Sequence, residues 1–235
     1  MKALILGATG LLGHTLYRRW SRRPGWSVAG SYRDLPLPGL RRCDLLDPGA
    51  AQALIREVAA QVVLCPASNP HVDFCQTHPD ETGAINVAAP LAAARAAARA
   101  GARFVFFSSD YVFDGERESY REEDVPWPLN EYGRQKLAVE RGLAESGVDA
   151  LVLRVTGLFG WEFRPKNFVH QVLRRLRRGE TFPAATDQVY RPSYVESLAE
   201  ALAALLEKGA SGTLHLAGDD ALDPCSLGRP SCPLD

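Results

Sequence analysis

The sequence predicts an α/β fold in which helices cover both faces of a doubly wound parallel sheet. The chain has 235 residues, of which 46% are hydrophobic, and this is enough for one large core. Strand and helix patterns alternate from residue 1 to about residue 156, as they do when helices connect parallel strands. A glycine-rich turn follows the first predicted strand. Together these features predict a Rossmann-type fold, in which ligands bind at the carboxyl ends of the strands.

The predicted elements follow one another in a regular order. The first strand, at residues 2–6, is wholly apolar after Lys2, as expected for a strand buried on both faces. Further strands are predicted at residues 26–31, 41–44, 61–65, 104–107, 151–155 and 213–216. Helices are predicted from apolar periodicity at residues 11–20, 47–58, 81–100, 130–146, 167–178 and 195–208. Asp47-Pro48 suits a helix start, Gly101 suits a helix end, and Asn130 can cap the helix that follows it.

The glycines after the first strand predict a dinucleotide-binding turn. Their spacing is G-x-x-G-x-x-G, and a side chain at these positions would block a phosphate or hold the helix away from the strand. The helix that follows offers free backbone amides and the positive end of its dipole, which suit a pyrophosphate. Such a pattern alone also fits an ordinary strand–helix turn, but its place after the first strand favours cofactor binding. The expected cofactor contacts are Gly7, Thr9, Gly10, Leu11, Leu12 and Gly13.

The residues after the second strand favour NADP(H). An NAD enzyme usually has an acidic residue here for the ribose, whereas this chain has Ser31 and Arg33. A hydroxyl and a guanidinium can hold a 2′-phosphate by charge-assisted hydrogen bonds. Asp34 follows Arg33 directly, so use of NAD(H) stays open. We expect Asp44 and Leu45, after the third strand, to frame the adenine.

A serine, a tyrosine and a lysine further along predict a carbonyl reduction. Tyr132 and Lys136 are four residues apart and therefore share one face of a helix. We expect the ammonium to lower the pKa of the phenol, so that Tyr132 can give a proton to a carbonyl oxygen as hydride reaches the carbon. Ser109, at the end of the fifth strand, can bind the same oxygen. Tyr-x-x-x-Lys alone is also ordinary helix decoration, but its combination with the glycine turn favours a nicotinamide-dependent enzyme.

These residues resemble a known family. The glycine turn, Ser109 and the Tyr132–Lys136 pair are similar to the extended short-chain dehydrogenase/reductase superfamily. Residues 108–115, Ser-Ser-Asp-Tyr-Val-Phe-Asp-Gly, resemble the Ser-Thr-Asp-Tyr-Val-Phe-Asp-Gly signature of dTDP-4-dehydrorhamnose reductases. Further similar segments carry the resemblance to about residue 218, and they lie at residues 72–79, 86–87, 128–140, 167–169 and 187–194.

The resemblance implies a reaction and a set of site residues. The reaction is NAD(P)H-dependent reduction of the 4-keto group of a dTDP-4-keto-6-deoxy-sugar, in dTDP-L-rhamnose biosynthesis. Ser109, Tyr132 and Lys136 are the implied catalytic residues, Tyr132 and Lys136 are also implied to contact the cofactor, and the backbone near Ala67 is implied to approach it. The implied substrate contacts are Val72, Asp73, Tyr111, Asn167 and Arg191.

The resemblance also predicts the domain organisation. We expect residues 1–156 to form an NAD(P)-binding Rossmann domain that carries the catalytic residues, and residues 157–235 to form a small, interleaved and truncated substrate-binding lobe. Two segments depart from the family pattern: Leu-Cys-Pro-Ala at 64–67, where the proline removes an amide near the cofactor, and Trp-Glu-Phe-Arg at 161–164. Residues 221–235 have no periodicity, so we expect an irregular tail and leave the activity of the chain open.

Two other functions stay open from the sequence. The regulatory subunit of methionine adenosyltransferase resembles the same family, so the chain could be a non-catalytic nucleotide-binding subunit, although the intact Ser109, Tyr132 and Lys136 favour an enzyme. A sugar-nucleotide epimerase or dehydratase is the second alternative. Such an enzyme returns its cofactor, whereas a reductase consumes it.

Charge and cysteine content exclude several other classes. The formal net charge of −1 argues against nucleic acid or membrane partners, no stretch approaches the roughly 20 apolar residues that span a bilayer, and the N-terminus lacks the layout of a secretory signal. Five cysteines without paired spacing predict free thiols and no metal site. We therefore expect a cytoplasmic protein whose partner is a small dTDP-sugar, and a homodimer stays open.

Overall fold

The fold is a single parallel sheet with helices on both faces, seen in a computed structural model that describes residues 1–181 and 188–223. Within those residues the sheet has seven strands, which are β1 (Lys2–Ile5), β2 (Ser27–Tyr32), β3 (Arg41–Arg42), β4 (Val62–Cys65), β5 (Arg103–Ser109), β6 (Ala150–Val155) and β7 (Gly212–Leu216). Their order is β3-β2-β1-β4-β5-β6-β7 and all neighbours are parallel. The predicted doubly wound sheet is confirmed, and its order reverses between β1 and β4.

The helices of the described residues divide between the two faces of the sheet. They are α1 (Leu11–Trp20), α2 (Ala50–Val58), α3 (Val72–Thr77), α4 (Pro79–Gly83), α5 (Ala89–Arg99), α6 (Glu131–Ser146), α7 (Phe168–Leu176) and α8 (Val195–Glu207). Leu16 of α1 and Leu202 of α8 lie in the core on one face. Ile55 of α2, Ala97 of α5 and Val139 of α6 lie in the core on the other face. Apolar side chains therefore bury both faces of the inner strands, which explains the unbroken apolar sequence of β4.

The helix predicted at residues 81–100 is interrupted. A π-helical turn (Ala84–Ala88) separates α4 from α5. Asn86, in the middle of this turn, is buried. Its Oδ1 accepts a hydrogen bond from the Asn69 amide at 2.7 Å, and its Nδ2 donates to Oε1 of Gln135 at 2.8 Å. The π-helical turn thus places the buried side-chain amide of Asn86 between two elements. Its hydrogen bonds link the segment after β4 to α6.

The boundary predicted at residue 156 does not separate the layers of the fold. β7 pairs with β6 from Leu151↔Gly212 to Val155↔Leu216, so it extends the main sheet. α8 packs on α1, and ion pairs hold α8 to α1 and to Arg23 just beyond it. They are Arg18–Glu196, Arg19–Glu196, Arg19–Glu200, Arg23–Glu200 and Arg23–Glu207. The assignment of residues 157–235 to a substrate-binding lobe stays a prediction. The predicted irregular tail lies largely outside the described residues, and so does Asp187, the first residue of the segment 187–194 that resembles the family.

The cysteines and the helices can be compared with the sequence predictions of free thiols and of no membrane-spanning segment. Cys43, Cys65 and Cys75 are free and buried, as predicted for free thiols, whereas Cys225 and Cys232 lie outside the described residues. Along residues 1–181 and 188–223, no helix combines the length and the apolar character needed to cross a membrane.

Candidate active site

The structure brings the three predicted catalytic residues together at the carboxyl end of β5. Ser109 is the last residue of this strand, and Tyr132 and Lys136 lie on the first two turns of α6. All three are buried. The Lys136 ammonium lies 5.4 Å from the centre of the Tyr132 ring, and the Tyr111 ring, which follows Ser109, meets the Tyr132 ring edge-on at 5.8 Å. The predicted grouping is therefore present as a local cluster.

The start of α6 is held close to the segment after β5. Asn130 caps the helix, since its Oδ1 accepts a hydrogen bond from the Gly133 amide at 2.8 Å, as predicted for this residue. A Cβ added at Gly133 would overlap the carbonyl oxygen of Tyr111. Glycine thus lets the first turn of α6 touch the backbone beyond β5, and this close approach places Tyr132 beside Tyr111.

The Lys136 side chain is buried and directed at the sheet. Its ammonium donates a hydrogen bond to the Phe107 carbonyl oxygen at 2.8 Å and lies 4.9 Å from the centre of the Phe106 ring. Burial lowers the pKa of Lys136 to about 8, against the opposing influence of Cys65, Cys75 and Glu140. The ammonium therefore loses its proton more easily than an ordinary lysine does.

The pKa of the Tyr132 phenol is raised, whereas the sequence led us to expect a lowered one. Burial is the main cause, and Asp110, Cys75 and Tyr111 raise it further. Lys136 does not offset this, because its ammonium donates to the Phe107 carbonyl and not to the phenol. The raised pKa keeps Tyr132 a neutral phenol. Within the described residues its hydroxyl has no hydrogen-bond partner, so its proton is available for a ligand oxygen.

Ser109 belongs to a small network that the sequence analysis missed. Its Oγ donates to Oδ1 of Asp110 at 2.8 Å and accepts from the Tyr111 amide at 3.3 Å, and Thr156, just after β6, also hydrogen-bonds Asp110. Atoms packed around the Asp110 carboxyl desolvate it and raise its pKa, although the residue reaches solvent. The Ser109 hydroxyl must therefore rotate before it can donate to a substrate oxygen. The adjacency of Ser109 and Asp110 was the signal available in the sequence.

The three glycines of the turn after β1 have different roles. Gly7 has φ +93°, in the left-handed region, and a Cβ there would lie 2.9 Å from Cβ of Ala67. A Cβ at Gly13 would overlap the Gly7 carbonyl oxygen. A Cβ at Gly10 would make one ordinary contact, 3.7 Å from the Gly7 carbonyl oxygen, and Gly10 is exposed, so open solvent space lies beside it. Close contacts within the protein require glycine at positions 7 and 13, whereas no contact within the described residues requires glycine at position 10.

The amino end of α1 offers free amides beside that open space. The first hydrogen bond within this helix runs from the His14 amide to the Gly10 carbonyl at 2.8 Å, so the amides of Leu11, Leu12 and Gly13 precede it. In the described part of the chain no side chain caps the helix and no acidic residue lies in its first turn. Free amides, a positive dipole end and an open approach at Gly10 fit a dinucleotide pyrophosphate, with the half-buried Thr9 beside it.

The predicted 2′-phosphate contacts differ in accessibility. Ser31, 1% exposed, accepts a hydrogen bond from the Gly7 amide at 3.1 Å. Its hydroxyl therefore supports the turn, and its contact with a 2′-phosphate stays a prediction. Arg33 is exposed and its Nε donates to Oδ2 of Asp34 at 2.7 Å. A 2′-phosphate would have to compete with Asp34 for this guanidinium.

The segments after β3 and β4 border the same end of the sheet. Asp44 and Leu45 are half-buried, and Oδ1 of Asp44 accepts from the Leu46 amide at 3.0 Å. Ala67 is half-buried. Its Cβ lies so close to Gly7 that a side chain at position 7 would collide with it. Their roles in holding a dinucleotide stay predictions, and they follow strand ends at the edge of the sheet where such a ligand binds in this fold.

Three of the predicted substrate contacts lie near the catalytic residues. Val72 and Asp73 begin α3, which is held against α6 because the Glu131 amide donates to Oε1 of Gln76 at 3.1 Å. Tyr111 is exposed, and burial of its phenol, with the charges of Asp110 and Asp73, raises its pKa. The helix α3 was not predicted, because six residues are too few to show a helical period.

The other two predicted substrate contacts are engaged elsewhere. Asn167 caps α7: its Oδ1 accepts from the His170 amide at 3.2 Å and its Nδ2 donates to the Gly160 carbonyl at 3.0 Å. The exposed Arg191 donates to the Asp219 carbonyl. Contacts of Asn167 and Arg191 with a substrate stay predictions. Tyr190, which the sequence analysis did not select, has its pKa raised by burial and by Tyr111, so it lies within electrostatic reach of the cluster.

The chain is similar in sequence to a reductase and to an enzyme subunit. The family described as RmlD substrate binding domain matches residues 1–229. A probable low-salt glycan biosynthesis reductase of Haloferax volcanii is 35% identical, and the match covers 99% of this chain and 79% of that protein. Methionine adenosyltransferase 2 subunit beta of Bos taurus is 33% identical over 94% of this chain and 68% of that protein.

Solved structures of similar fold include reductases and an epimerase. A hypothetical dTDP-4-dehydrorhamnose reductase of Sulfolobus tokodaii has a TM-score of 0.87 at 33% identity, covering 97% of this chain and 80% of that one. A dTDP-4-dehydrorhamnose reductase of Bacillus anthracis, solved with NADP, has a TM-score of 0.85 at 26% identity, covering 94% and 76%. A Thermus thermophilus UDP-glucose 4-epimerase, solved with NAD, has a TM-score of 0.85 at 23% identity over 97% and 81%, a likeness of fold alone.

Proposed function

This chain belongs to the RmlD substrate binding domain family, and from that premise we propose that it is an NAD(P)H-dependent reductase of a nucleotide-sugar ketone. The observation that carries the proposal is the grouping of Ser109, Tyr132 and Lys136 at one strand end, in the same sheet as a turn whose Gly10 is open to a ligand. A binding protein has no chemical need for that grouping.

The finer proposal names the substrate as a dTDP-4-keto-6-deoxy-sugar and the reaction as the reduction step of dTDP-L-rhamnose biosynthesis. The eight-residue segment 108–115 supports it, together with the similarity to the Sulfolobus tokodaii protein. Tyr111, whose ring meets that of Tyr132, and Val72 and Asp73, at the start of α3, are the side chains proposed to contact the sugar.

The residues of the cluster divide the reduction between them. When a reduced nicotinamide is bound, it supplies the hydride for the carbonyl carbon. Tyr132, a neutral phenol because burial raises its pKa, gives its proton to the carbonyl oxygen, which becomes the hydroxyl of the product. The Lys136 ammonium, 5.4 Å from the Tyr132 ring, has to turn from the Phe107 carbonyl towards the phenol in order to stabilise the phenolate that remains. Ser109 turns its hydroxyl from Asp110 to the substrate oxygen, and the hydrogen bond that it donates there fixes the orientation of the substrate carbonyl.

For the cofactor we propose that NADP(H) is favoured and that NAD(H) can also bind. The exposed Arg33 supports the first statement, and its partner Asp34 supports the second, since a carboxylate suits a ribose without the 2′-phosphate. Arg33→Ala should weaken NADPH binding more than NADH binding, measured by titration of each. Arg95→Ala, on the exposed face of α5, is the matched control. Equal effects of Arg33→Ala on the two cofactors would refute the 2′-phosphate role.

The reductase proposal is tested by following reduced-nicotinamide absorbance with a dTDP-4-keto-6-deoxy-sugar. Tyr132→Phe should retain the cofactor dissociation constant and lose about 10²–10⁴-fold in turnover, the usual contribution of a positioned proton donor. Tyr17→Phe, a tyrosine of α1 packed near Gly30, should leave turnover unchanged. Turnover by Tyr132→Phe at the wild-type rate would remove the phenol from the mechanism.

A non-catalytic nucleotide-binding subunit is the second candidate. The similarity to methionine adenosyltransferase 2 subunit beta, at 33% identity over 94% of this chain, favours it. Such a protein would bind a dinucleotide without consuming it, and Tyr132→Phe would change nothing measurable. An epimerase or dehydratase would convert the sugar and return the cofactor. Measuring cofactor and sugar in the same reaction separates all three functions.

A further inference from the structure

The segment of residues 160–167, here called the aromatic strap, is folded tightly around one carboxylate. Oε1 of Glu162 accepts from the Lys166 amide at 2.6 Å, from the Asn167 amide at 2.7 Å and from Nδ2 of Asn167 at 2.8 Å. The same Asn167 Nδ2 donates to the Gly160 carbonyl at 3.0 Å. Both ends of the strap are therefore tied together by hydrogen bonds within the strap itself.

The two aromatic residues that flank Glu162 pack on α1. The ring centre of Trp161 lies 5.4 Å from that of His14, the ring centre of Phe163 lies 4.6 Å from it, and the Trp161 and Phe163 rings meet edge-on at 4.7 Å. Burial, with Arg18, lowers the pKa of His14 against the effect of Glu196. A neutral imidazole is thus enclosed by two aromatic rings, which fixes the strap to the helix.

The strap crosses α1 at its first turn, beside the side chains of Leu11 and His14. His14 lies one turn after Gly10, and a Cβ added at Gly160 would be 3.7 Å from Cδ1 of Leu11, whose amide is one of the free ones. Trp161 nevertheless remains 56% exposed. The strap therefore leaves a large apolar surface uncovered at the first turn of α1, the turn that begins after Gly10.

We propose that the aromatic strap is a further wall of the dinucleotide site, in which Trp161 covers the pyrophosphate at the start of α1 and retains the bound cofactor. The inference rests on the proposed function, since it requires a dinucleotide at this turn. A ring held over the phosphates keeps water away from their hydrogen bonds to the amides, and these bonds are stronger where the local dielectric is low. The Trp-Glu-Phe-Arg sequence at 161–164, which departs from the family pattern, then has a role in cofactor retention.

The test compares two exposed tryptophans by stopped-flow release of NADPH, followed through nicotinamide fluorescence. Trp161→Ala should raise the dissociation rate constant at least tenfold and change the association rate constant less than threefold, because the wall acts on the bound state and affinity differences lie mostly in dissociation. Trp127→Ala, 68% exposed on the segment before α6, is the matched control and should stay within twofold of wild type in both.

A second variant tests the tie that holds the strap. Glu162→Gln keeps Trp161 but weakens the bonds that Oε1 accepts, so it should also speed release, by less than Trp161→Ala does. Wild-type release rates in Trp161→Ala would overturn the inference while leaving the reductase proposal intact, as would a change confined to association. If the wild-type protein binds neither NADPH nor NADH, the proposed function fails, and the inference fails with it.

Discussion

Replacing Gly10 by alanine should stabilise the protein and weaken its binding of a dinucleotide. Gly10 has φ −78° and ψ 168°, a conformation open to any residue, and the added Cβ would be no closer than 3.7 Å to another atom. Alanine then reduces the conformational freedom of the unfolded chain, which raises the free energy of unfolding by about 0.4–1 kcal/mol. For a chain of this size the melting temperature should rise by about 1–4 °C.

The same methyl group would stand in the approach to the free amides of α1. If it costs one hydrogen bond between an amide and the charged pyrophosphate, the loss is about 1.5–3 kcal/mol. That corresponds to a dissociation constant roughly 10-fold to 100-fold higher. The two effects have opposite signs, so a general loss of structure cannot imitate them.

The assay is a thermal melt without cofactor together with fluorescence titrations of NADPH and NADH. Gly83→Ala is the matched control, because Gly83 lies on α4 with no atom within 4 Å of the added Cβ. It should raise the melting temperature by a similar amount and leave both titrations unchanged. A Gly10→Ala protein that binds both cofactors as tightly as wild type would refute the assignment of this turn to the pyrophosphate.

Three further predictions concern stability and its dependence on pH. Gly13→Ala should destabilise the protein by about 1–3 kcal/mol or more in denaturant unfolding, because its Cβ overlaps the Gly7 carbonyl oxygen; an unchanged midpoint would contradict this. Arg154→Met should cost about 3–5 kcal/mol, since it leaves Glu140, paired with Arg154 at 2.7 Å and like it 7% exposed, charged and buried; adding Glu140→Leu should recover much of the loss, and no recovery would contradict the account. The lowered pKa of Lys136 means that the unfolded chain binds this proton between about pH 8 and pH 10.5 while the folded chain does not. The resulting penalty is fully present below pH 8 and disappears as the pH rises, so the unfolding free energy of wild type minus that of Lys136→Met should rise by about 3 kcal/mol across this range. A flat difference would contradict the buried, easily deprotonated state of Lys136.

Much of the fold can be predicted from the sequence because burial on both faces leaves a plain pattern. Residues 3–6 form an apolar run, and the structure places β1, at Lys2–Ile5, in the interior of the sheet. The interruption at Ala84–Ala88 could not be predicted, because it serves a hydrogen bond from Asn86 to Gln135, 49 residues away. Local patterns predict local elements, whereas such breaks depend on contacts that form only in the folded chain.

The candidate site shows the same division between local and distant causes. Four-residue spacing predicts that Tyr132 and Lys136 share a helix face, and they do. The sequence gives no measure of how deeply the phenol is buried or where the ammonium points, so the direction of the Tyr132 pKa shift was predicted wrongly. The contact of Trp161 with His14 joins residues far apart in the chain and leaves no trace in either local pattern.

The central claim is that hydride passes from a nicotinamide to a sugar carbonyl in this protein. The most direct measurement uses NADPH or NADH carrying deuterium at the transferred position, with a dTDP-4-keto-6-deoxy-sugar, and determines the mass of the sugar product. The account predicts one deuterium in each product molecule, one cofactor oxidised for each, and loss of both in Tyr132→Phe. A sugar converted without deuterium and with its cofactor returned, or a cofactor bound but never oxidised, would contradict it.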